Sequence, residues 1–160
     1  YPGCSIRNTY LSRRASIICT DGSNLVIENS FIGKGTIIAA AHGARINISN
    51  TYIGHHCVIV ARESIVIEPD CQIAEMVVIR DQNHRFGEQG KTIEQQGFST
   101  AAIHISRNVW LAAKVSVMAG AHIENNVVVG AHSLVRGRLT TNSLYVGIPA
   151  KCVRSFDTQE

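Results

Sequence analysis

A six-residue spacing of apolar side chains constrains the fold of this 160-residue chain more than any other feature. From Ile105 onwards an apolar residue returns at every sixth position without a gap. The members of this series are Ile105, Leu111, Val117, Ile123, Val129 and Val135. A period of six matches neither an α-helix nor a long strand, and instead indicates short strands that are joined by tight turns.

A second series supports this interpretation, because small or β-branched residues follow most members of the first after four positions. Its members are Val109, Val115, Ala121, Val127 and Ser133, with Leu139 as the exception. Upstream the same six-residue step recurs with phase breaks, in Ile32–Ile38, in Ile53–Ile59–Ile65 and in Ile67–Ile73–Ile79. Three such strands in each coil predict a triangular β-solenoid with about 18 residues per turn.

Glycine and asparagine recur where the corners of this prism are expected, because both tolerate the left-handed backbone of tight turns. The predicted corner residues are Gly33, Gly35, Asn50, Gly54, Pro69, Asn108, Gly120, Asn125, Asn126 and Gly130. Cys57 and Cys71 fall on the small-residue series and are interpreted as small buried hydrophobes.

The repeat also divides the chain. Residues 1–154 are predicted to form a single all-β domain, with residues 155–160 as a tail. Residues 1–24 repeat weakly and are expected to form an irregular first coil or a cap. Residues 85–101 carry no hexads, contain three glycines, and are predicted to protrude as a loop of a length that is often functional.

Composition narrows the class of protein. The net charge of +3 is spread along the chain without a dense basic block, so nucleic acid is not an expected partner. No apolar run reaches the length of a membrane-spanning helix, and no leader-like segment opens the sequence. The five cysteines lack CxxC spacing, which predicts reduced thiols in a cytoplasmic protein.

Three segments resemble the hexapeptide-repeat acyltransferases, and especially the sugar O-acetyltransferases of the galactoside and maltose acetyltransferase type. These are Ile105–Leu111 (ISRNVWL), Val129–Val135 (VGAHSLV) and Tyr145–Lys151 (YVGIPAK). The resemblance implies a left-handed parallel β-helix, since periodicity alone does not supply a handedness. It also implies a homotrimer whose active sites lie between subunits, and acetyl-CoA as co-substrate.

The same resemblance implies that His84 is the general base. His84 lies immediately before the predicted loop, at an outward position of its hexad. An unperturbed imidazole titrates near pH ~6.5 and can accept a hydroxyl proton at neutral pH. A solvated surface histidine is the alternative interpretation. Asp81 or Asn83 is predicted either to orient His84 or to serve as a turn residue.

The resemblance further implies a path for coenzyme A. Trp110 matches an outward-facing Trp of the family, and Ala113 and Ala131 match small residues whose backbone meets the pantetheine arm. Lys151 matches a basic residue near the nucleotide phosphates, with Arg136 and Arg154 as weaker candidates. Fold-required small residues and solvated charges are the alternatives. His132 and Arg136-Gly137 depart from the family pattern along this path.

His104 and His122 are expected to stack in adjacent coils, which invites comparison with the γ-class carbonic anhydrases on the same fold. Those enzymes use three histidines, two of them five positions apart, and the seven histidines of this chain lack that spacing. No metal site is predicted.

The predicted function is therefore transfer of an acetyl group from acetyl-CoA to a hydroxyl of a sugar or polysaccharide. Family analogy suggests surface polysaccharide assembly as the pathway. One alternative is N-acetylation of an amino-sugar nucleotide, for which the general-base chemistry is nearly the same. A non-catalytic β-helical scaffold is the alternative from another class. The acceptor itself and the oxyanion-binding groups are left open by the sequence.

Overall fold

Three parallel sheets run along the molecule, and the chain passes through them in turn. The structure is a computed structural model that describes residues 3–20 and 22–156. The first sheet contains β1 (Cys4–Arg7), β4 (Asn24–Glu28), β7 (Arg45–Ser49), β10 (Ser64–Ile67), β15 (Ile103–Ile105), β18 (His122–Ile123) and β21 (Arg138–Leu139).

The second and third sheets complete the prism. The second contains β2 (Tyr10–Leu11), β5 (Phe31–Ile32), β8 (Tyr52–Ile53), β11 (Gln72–Ile73), β16 (Trp110–Leu111), β19 (Val128–Val129), β22 (Ser143–Val146) and β23 (Lys151–Ser155). The third contains β3 (Ser16–Cys19), β6 (Ile37–Ala40), β9 (Val58–Ala61), β12 (Val78–Arg80), β17 (Ser116–Val117) and β20 (Leu134–Val135). The chain turns from the first sheet into the second at the first corner. It turns from the second sheet into the third at the second corner, and from the third sheet back into the first at the third corner.

Each strand pairs in parallel with its counterpart in the next coil. After the protruding loop, equivalent residues such as Asn108 and Asn126 are 18 residues apart, as predicted. In the earlier coils the separation is 21, for example between Ser30 and Thr51. The first-sheet strands of these coils have four or five residues instead of two or three, and this extra length accounts for the phase breaks in the sequence.

The hexad residues form the interior of the prism. All the members of the predicted apolar series are buried, as are Cys57 and Cys71. Burial raises the pKa of the Cys71 thiol to about 11 and also raises that of Cys57, so both stay protonated and pack as small hydrophobes. The predicted all-β parallel β-helix is therefore confirmed.

Asparagine ladders hold the first corner. Asn8 donates from Nδ2 to Oδ1 of Asn29 at 2.8 Å, and Asn108 donates to Asn126 at 2.9 Å. These residues have positive φ, which asparagine tolerates better than most side chains. One predicted corner was displaced by a residue, because Asp70, not Pro69, adopts the left-handed conformation.

At the second corner, close packing of coils demands glycine. A Cβ atom on Gly33 would overlap the backbone of Gly54 in the next coil. His132, in contrast, occupies a left-handed position of this corner with a φ of 60° despite its side chain.

The two ends of the chain differ from the expectation. Residues 3–20 form a regular first coil, because β1, β2 and β3 pair with β4, β5 and β6. At the other end β23 runs antiparallel to β22 and pairs Ser155 with Ser143, so the predicted boundary at residue 154 falls inside a strand. The predicted tail beyond Phe156, and Tyr1, Pro2 and Asp21, lie outside the described residues.

The predicted protrusion is present and leaves the prism at the third corner. It opens and closes as an antiparallel ribbon of β13 (Gln82–His84) and β14 (Phe98–Thr100), with a short 3-10 helix at Glu94–Gln96. Beneath it β10 pairs directly with β15, so the first sheet continues across the insertion. Within the described ranges, no helix is long and apolar enough to cross a membrane.

Two adjacent isoleucines of β6 test the assignment of the interior. Ile38 is fully buried, whereas Ile37 is 39% exposed on the outer face. We expect Ile38→Ala to lower the free energy of unfolding by about 2–5 kcal/mol, because it removes methyl groups from a packed interior. Ile37→Ala, the same chemical change on the outer face, is expected to cost about 1 kcal/mol or less. Denaturant unfolding of both variants measures the difference, and equal losses would contradict the assignment.

Candidate active site

His84 lies on the ribbon at the root of the protruding loop. It is exposed and lies directly opposite Phe98 in the antiparallel pair, but it is on the ribbon and not on the prism wall, where its hexad position predicted it. Side chains alternate between the two faces of a strand, and directly opposed residues share a face. Gln82, His84, Phe98 and Thr100 therefore occupy one face of the ribbon, and Asn83 and Ser99 the other.

An aromatic ring and a cation flank this histidine. The centroids of the His84 and Phe98 rings are 4.2 Å apart with 39° between their planes. The guanidinium carbon of Arg62 lies 3.8 Å from the centroid of the same Phe98 ring. Sequence reasoning missed both partners, because Arg62 is at the third corner one coil earlier and only coil stacking brings it to the loop.

Asp81 is fully buried, and its carboxylate is occupied by the backbone of the preceding coil. The N–H of Arg62 donates to Oδ1, and those of Glu63 and Ser64 donate to Oδ2, each at 2.8 Å. The prediction that Asp81 orients His84 is corrected by this geometry, since both carboxylate oxygens fasten the third corner. Asp81 instead fits the alternative prediction, that of a turn residue.

Asn83 is exposed on the opposite face of the ribbon from His84. Within the described residues its side chain makes no hydrogen bond to His84. An orienting role for Asn83 stays a prediction, and in this conformation the ring of His84 is held by packing on Phe98.

Four of the five residues predicted to bind coenzyme A lie along the second sheet and the second corner. Trp110 is half exposed at the start of β16, between Gln72 and Val128 of the neighbouring strands. Ala113 and Ala131 occupy equivalent turns of adjacent coils at the second corner, where the N–H of His132 donates to the Ala113 carbonyl at 3.0 Å. Lys151 is exposed at the start of β23, opposite Val146.

The structure does not bring these residues to His84 within one chain. His84 leaves the prism at the third corner, whereas Ala113 and Ala131 are at the second, and the third sheet separates the two corners. Arg136 follows β20 and lies at the third corner, apart from Lys151. Arg154, like Arg136 a weaker candidate, is exposed in β23. A single chain thus keeps the two groups of predicted site residues, here called half-sites, apart.

The histidines considered for a metal are stacked, as expected from their spacing. The rings of His104 and His122 are 5.2 Å apart with 14° between their planes, and Nε2 of His104 lies 2.8 Å from Oε1 of Glu68. The described part of the chain contains no group of three or more His, Cys, Asp or Glu side chains suited to holding a metal ion.

Comparison with known families agrees with the coil geometry. Residues 102–137 match the family model described as bacterial transferase hexapeptide (six repeats). Over these residues the chain is similar to hexapeptide-repeat transferases. The match covers the region in which coils of 18 residues follow one another without interruption.

Relatives in sequence include the "Putative lipopolysaccharide biosynthesis O-acetyl transferase WbbJ" of Escherichia coli (strain K12). The two are 34% identical over 102 residues, which are 59% of this chain and 52% of that protein. The chain thus spans about half of the length of this relative.

Two solved structures share the fold. AntD, an N-acyltransferase from Bacillus cereus in complex with dTDP-4-amino-4,6-dideoxyglucose and coenzyme A, superposes with a TM-score of 0.81 at 22% identity, over 96% of this chain and 84% of that one. A maltose O-acetyltransferase from Clostridium difficile 630 gives a TM-score of 0.55 at 21% identity, over 96% and 66%. At these identities the likeness is one of fold.

Substitution of Asp81 tests whether it fastens the corner. We expect Asp81→Ala to lower the free energy of unfolding by about 2–4 kcal/mol, because three backbone N–H groups lose a charged acceptor. Asn83→Ala is the neighbouring control and is expected to change stability by about 0.5 kcal/mol or less. Denaturant unfolding measures both. An Asp81→Ala protein with unchanged stability would return Asp81 to the group of residues that act on His84.

Proposed function

We propose that this protein is an acyl-CoA-dependent acetyltransferase that acts on a hydroxyl of a sugar or polysaccharide, with His84 as general base. The observation that carries the proposal is an exposed histidine held against Phe98, on the long insertion that interrupts a hexapeptide-repeat prism. The name of the relative WbbJ, an O-acetyl transferase of lipopolysaccharide biosynthesis, supports both the reaction and the acceptor class.

His84 would act by moving one proton. A ring nitrogen of His84 takes the proton from the sugar hydroxyl. At the same time the hydroxyl oxygen bonds to the carbonyl carbon of the thioester. The carbon–sulfur bond then breaks, and the sulfur leaves with the proton that the imidazolium returns. The exposed position of His84 suits this role, because the acceptor must reach the ring from solvent.

The second corner offers features that fit coenzyme A. The small side chains of Ala113 and Ala131 allow an extended chain to approach the backbone of this corner closely. Trp110 presents a large exposed aromatic surface on the adjoining sheet, and exposed aromatic area of this kind usually contacts a ligand or partner. Lys151 supplies a cation on the same side for phosphate groups. The AntD structure contains coenzyme A on the same fold.

A homotrimer would join the two half-sites. Because His84 and the second-corner residues lie at different corners of one prism, a site that uses both is completed most directly by a neighbouring copy. In a closed ring every interface is equivalent, so three such sites would form. We place this trimer in the cytoplasm, which the five free cysteines of the chain fit.

N-acylation of a nucleotide-linked amino sugar is the second candidate. AntD, which shares the fold, is an N-acyltransferase whose structure contains dTDP-4-amino-4,6-dideoxyglucose. We favour a hydroxyl acceptor because the relative with 34% identity is named an O-acetyl transferase. We disfavour a non-catalytic scaffold. Such a role does not explain an exposed histidine that packs on an aromatic ring, with a cation over the same ring.

The role of His84 is tested by substitution. We expect His84→Ala to reduce acetyl transfer by about 10²–10⁴-fold, because the hydroxyl loses its proton acceptor. The matched control is His122→Ala, an exposed histidine on the first sheet. Release of free CoA thiol in the presence of a panel of sugars, oligosaccharides and nucleotide sugars measures turnover. Near-normal turnover by His84→Ala would remove it from the mechanism.

Subunit mixing tests the shared site. His84→Ala disables one half-site, and Ala131→Trp is expected to block the second corner. If sites lie between copies, refolding an equal mixture of these two inactive variants should restore about a quarter of the sites. If each chain builds its own site, every chain in the mixture carries one defect and no activity returns. Sedimentation of the refolded mixture gives its oligomeric state, and a monomer would contradict the proposal.

A further inference from the structure

We propose that Arg62 recognises a negatively charged group on the acceptor, so that the acceptor is a saccharide that carries a carboxylate or a phosphate. This inference rests on the proposed function, since it places the acceptor at His84. It assigns a specificity role to a residue of the prism that lies outside the protruding loop.

The backbone of Arg62 is held in place. It lies at the third corner between β9 and β10, directly beneath the insertion, and its N–H donates to Oδ1 of the buried Asp81 at 2.8 Å. The next two N–H groups bind the same carboxylate. The Arg62 side chain therefore projects from a fixed point toward the root of the loop.

The Arg62 guanidinium is positioned but not neutralised. It lies over the Phe98 ring at 3.8 Å, an arrangement that is stabilising and leaves the edge of the guanidinium plane free to donate. Arg7, Arg107 and Arg138 each pair with a carboxylate. Among residues 3–20 and 22–156, no carboxylate oxygen lies within 4.0 Å of the Arg62 guanidinium.

The neighbouring acid does not take up this charge. Asp81 already accepts three backbone hydrogen bonds and is fully buried. A partly buried guanidinium with free donors and no ion pair is suited to an oxyanion ligand, which a planar fork can bind through two parallel hydrogen bonds.

The location of this cation connects it with the chemistry. Arg62 and His84 both pack against the Phe98 ring, so the guanidinium and the proposed base are connected through one aromatic ring. The same ribbon face carries Gln82, which is 8% exposed and whose Oε1 has no hydrogen-bond donor among the described residues.

The chemistry of the site defines a ligand class. A guanidinium on an aromatic ring beside a hydrogen-bonding face fits a sugar that bears an oxyanion. The oxyanion can be the carboxylate of a sugar acid or the phosphate of a sugar phosphate or nucleotide sugar. Both present two oxygens in one plane to the guanidinium, and the experiment separates them.

Binding of three matched probes to the full chain tests the assignment. Glucuronate carries a carboxylate, glucose 1-phosphate carries a phosphate, and glucose is neutral. We expect titration calorimetry to show that Arg62→Gln weakens binding of at least one anionic probe by about 10-fold or more, because the charged donor is lost. Glucose binding should change by less than about 2-fold. Arg62→Lys keeps the charge but lacks the planar guanidinium, so its affinity for the anionic probe should lie between those of wild type and Arg62→Gln.

Arg85→Gln is the control, since Arg85 is an exposed cation of the loop next to His84. The probe that responds to Arg62 but not to Arg85 identifies the oxyanion. Equal anion binding by wild type and Arg62→Gln, or no binding of either anion, would overturn the assignment. An equal loss for glucose, or a lowered Tm, would show that Arg62 is only structural.

Failure of the proposed anion site can be distinguished from failure of the proposed acetyl transfer. His84→Ala should keep Arg62-dependent anion binding while acetyl transfer falls. If the wild-type protein transfers no acetyl group but binds the anion through Arg62, the reaction is wrong and the anion site stands. If acetyl transfer proceeds and Arg62→Gln affects anionic and neutral acceptors equally, the anion site is wrong and the reaction stands.

Discussion

Everything in this molecule depends on the parallel backbone pairing of one coil with the next. Each strand is too short to be stable alone, and its apolar residue is buried only because an equivalent residue lies above and below it. The stack therefore sets the spacing along the prism, and it also holds the corners. Asp81 illustrates this dependence, because its carboxylate fastens three N–H groups that belong to the preceding coil.

The sequence predicts the repetitive part of this arrangement well, because the buried apolar residues recur every six positions. Ile105, Ile123 and their equivalents are buried as expected. The early coils were harder to read, because five-residue strands lengthen them to 21 residues and interrupt the phase. The first coil was mistaken for an irregular segment for the same reason.

The contacts of the candidate site were less accessible to sequence reasoning. His84 could be singled out from its motif, but its neighbours Phe98 and Arg62 come from the far side of the loop and from another coil. Its closeness in sequence makes Asp81 a candidate to orient His84 as well as a turn residue, but its buried carboxylate binds the backbone of the preceding coil. Proximity along the chain is a poor guide wherever the important neighbours lie one turn away.

The continuity of the first sheet beneath the insertion has a consequence for how such proteins diversify. Ile65 pairs with Ile103 of the next coil as it would if the insertion were absent, so the pairing of the first sheet does not depend on the length of what protrudes. New loops can be exchanged at this point without a change in the distances between corners. Under the proposed function, acceptor preference can then evolve separately from the scaffold.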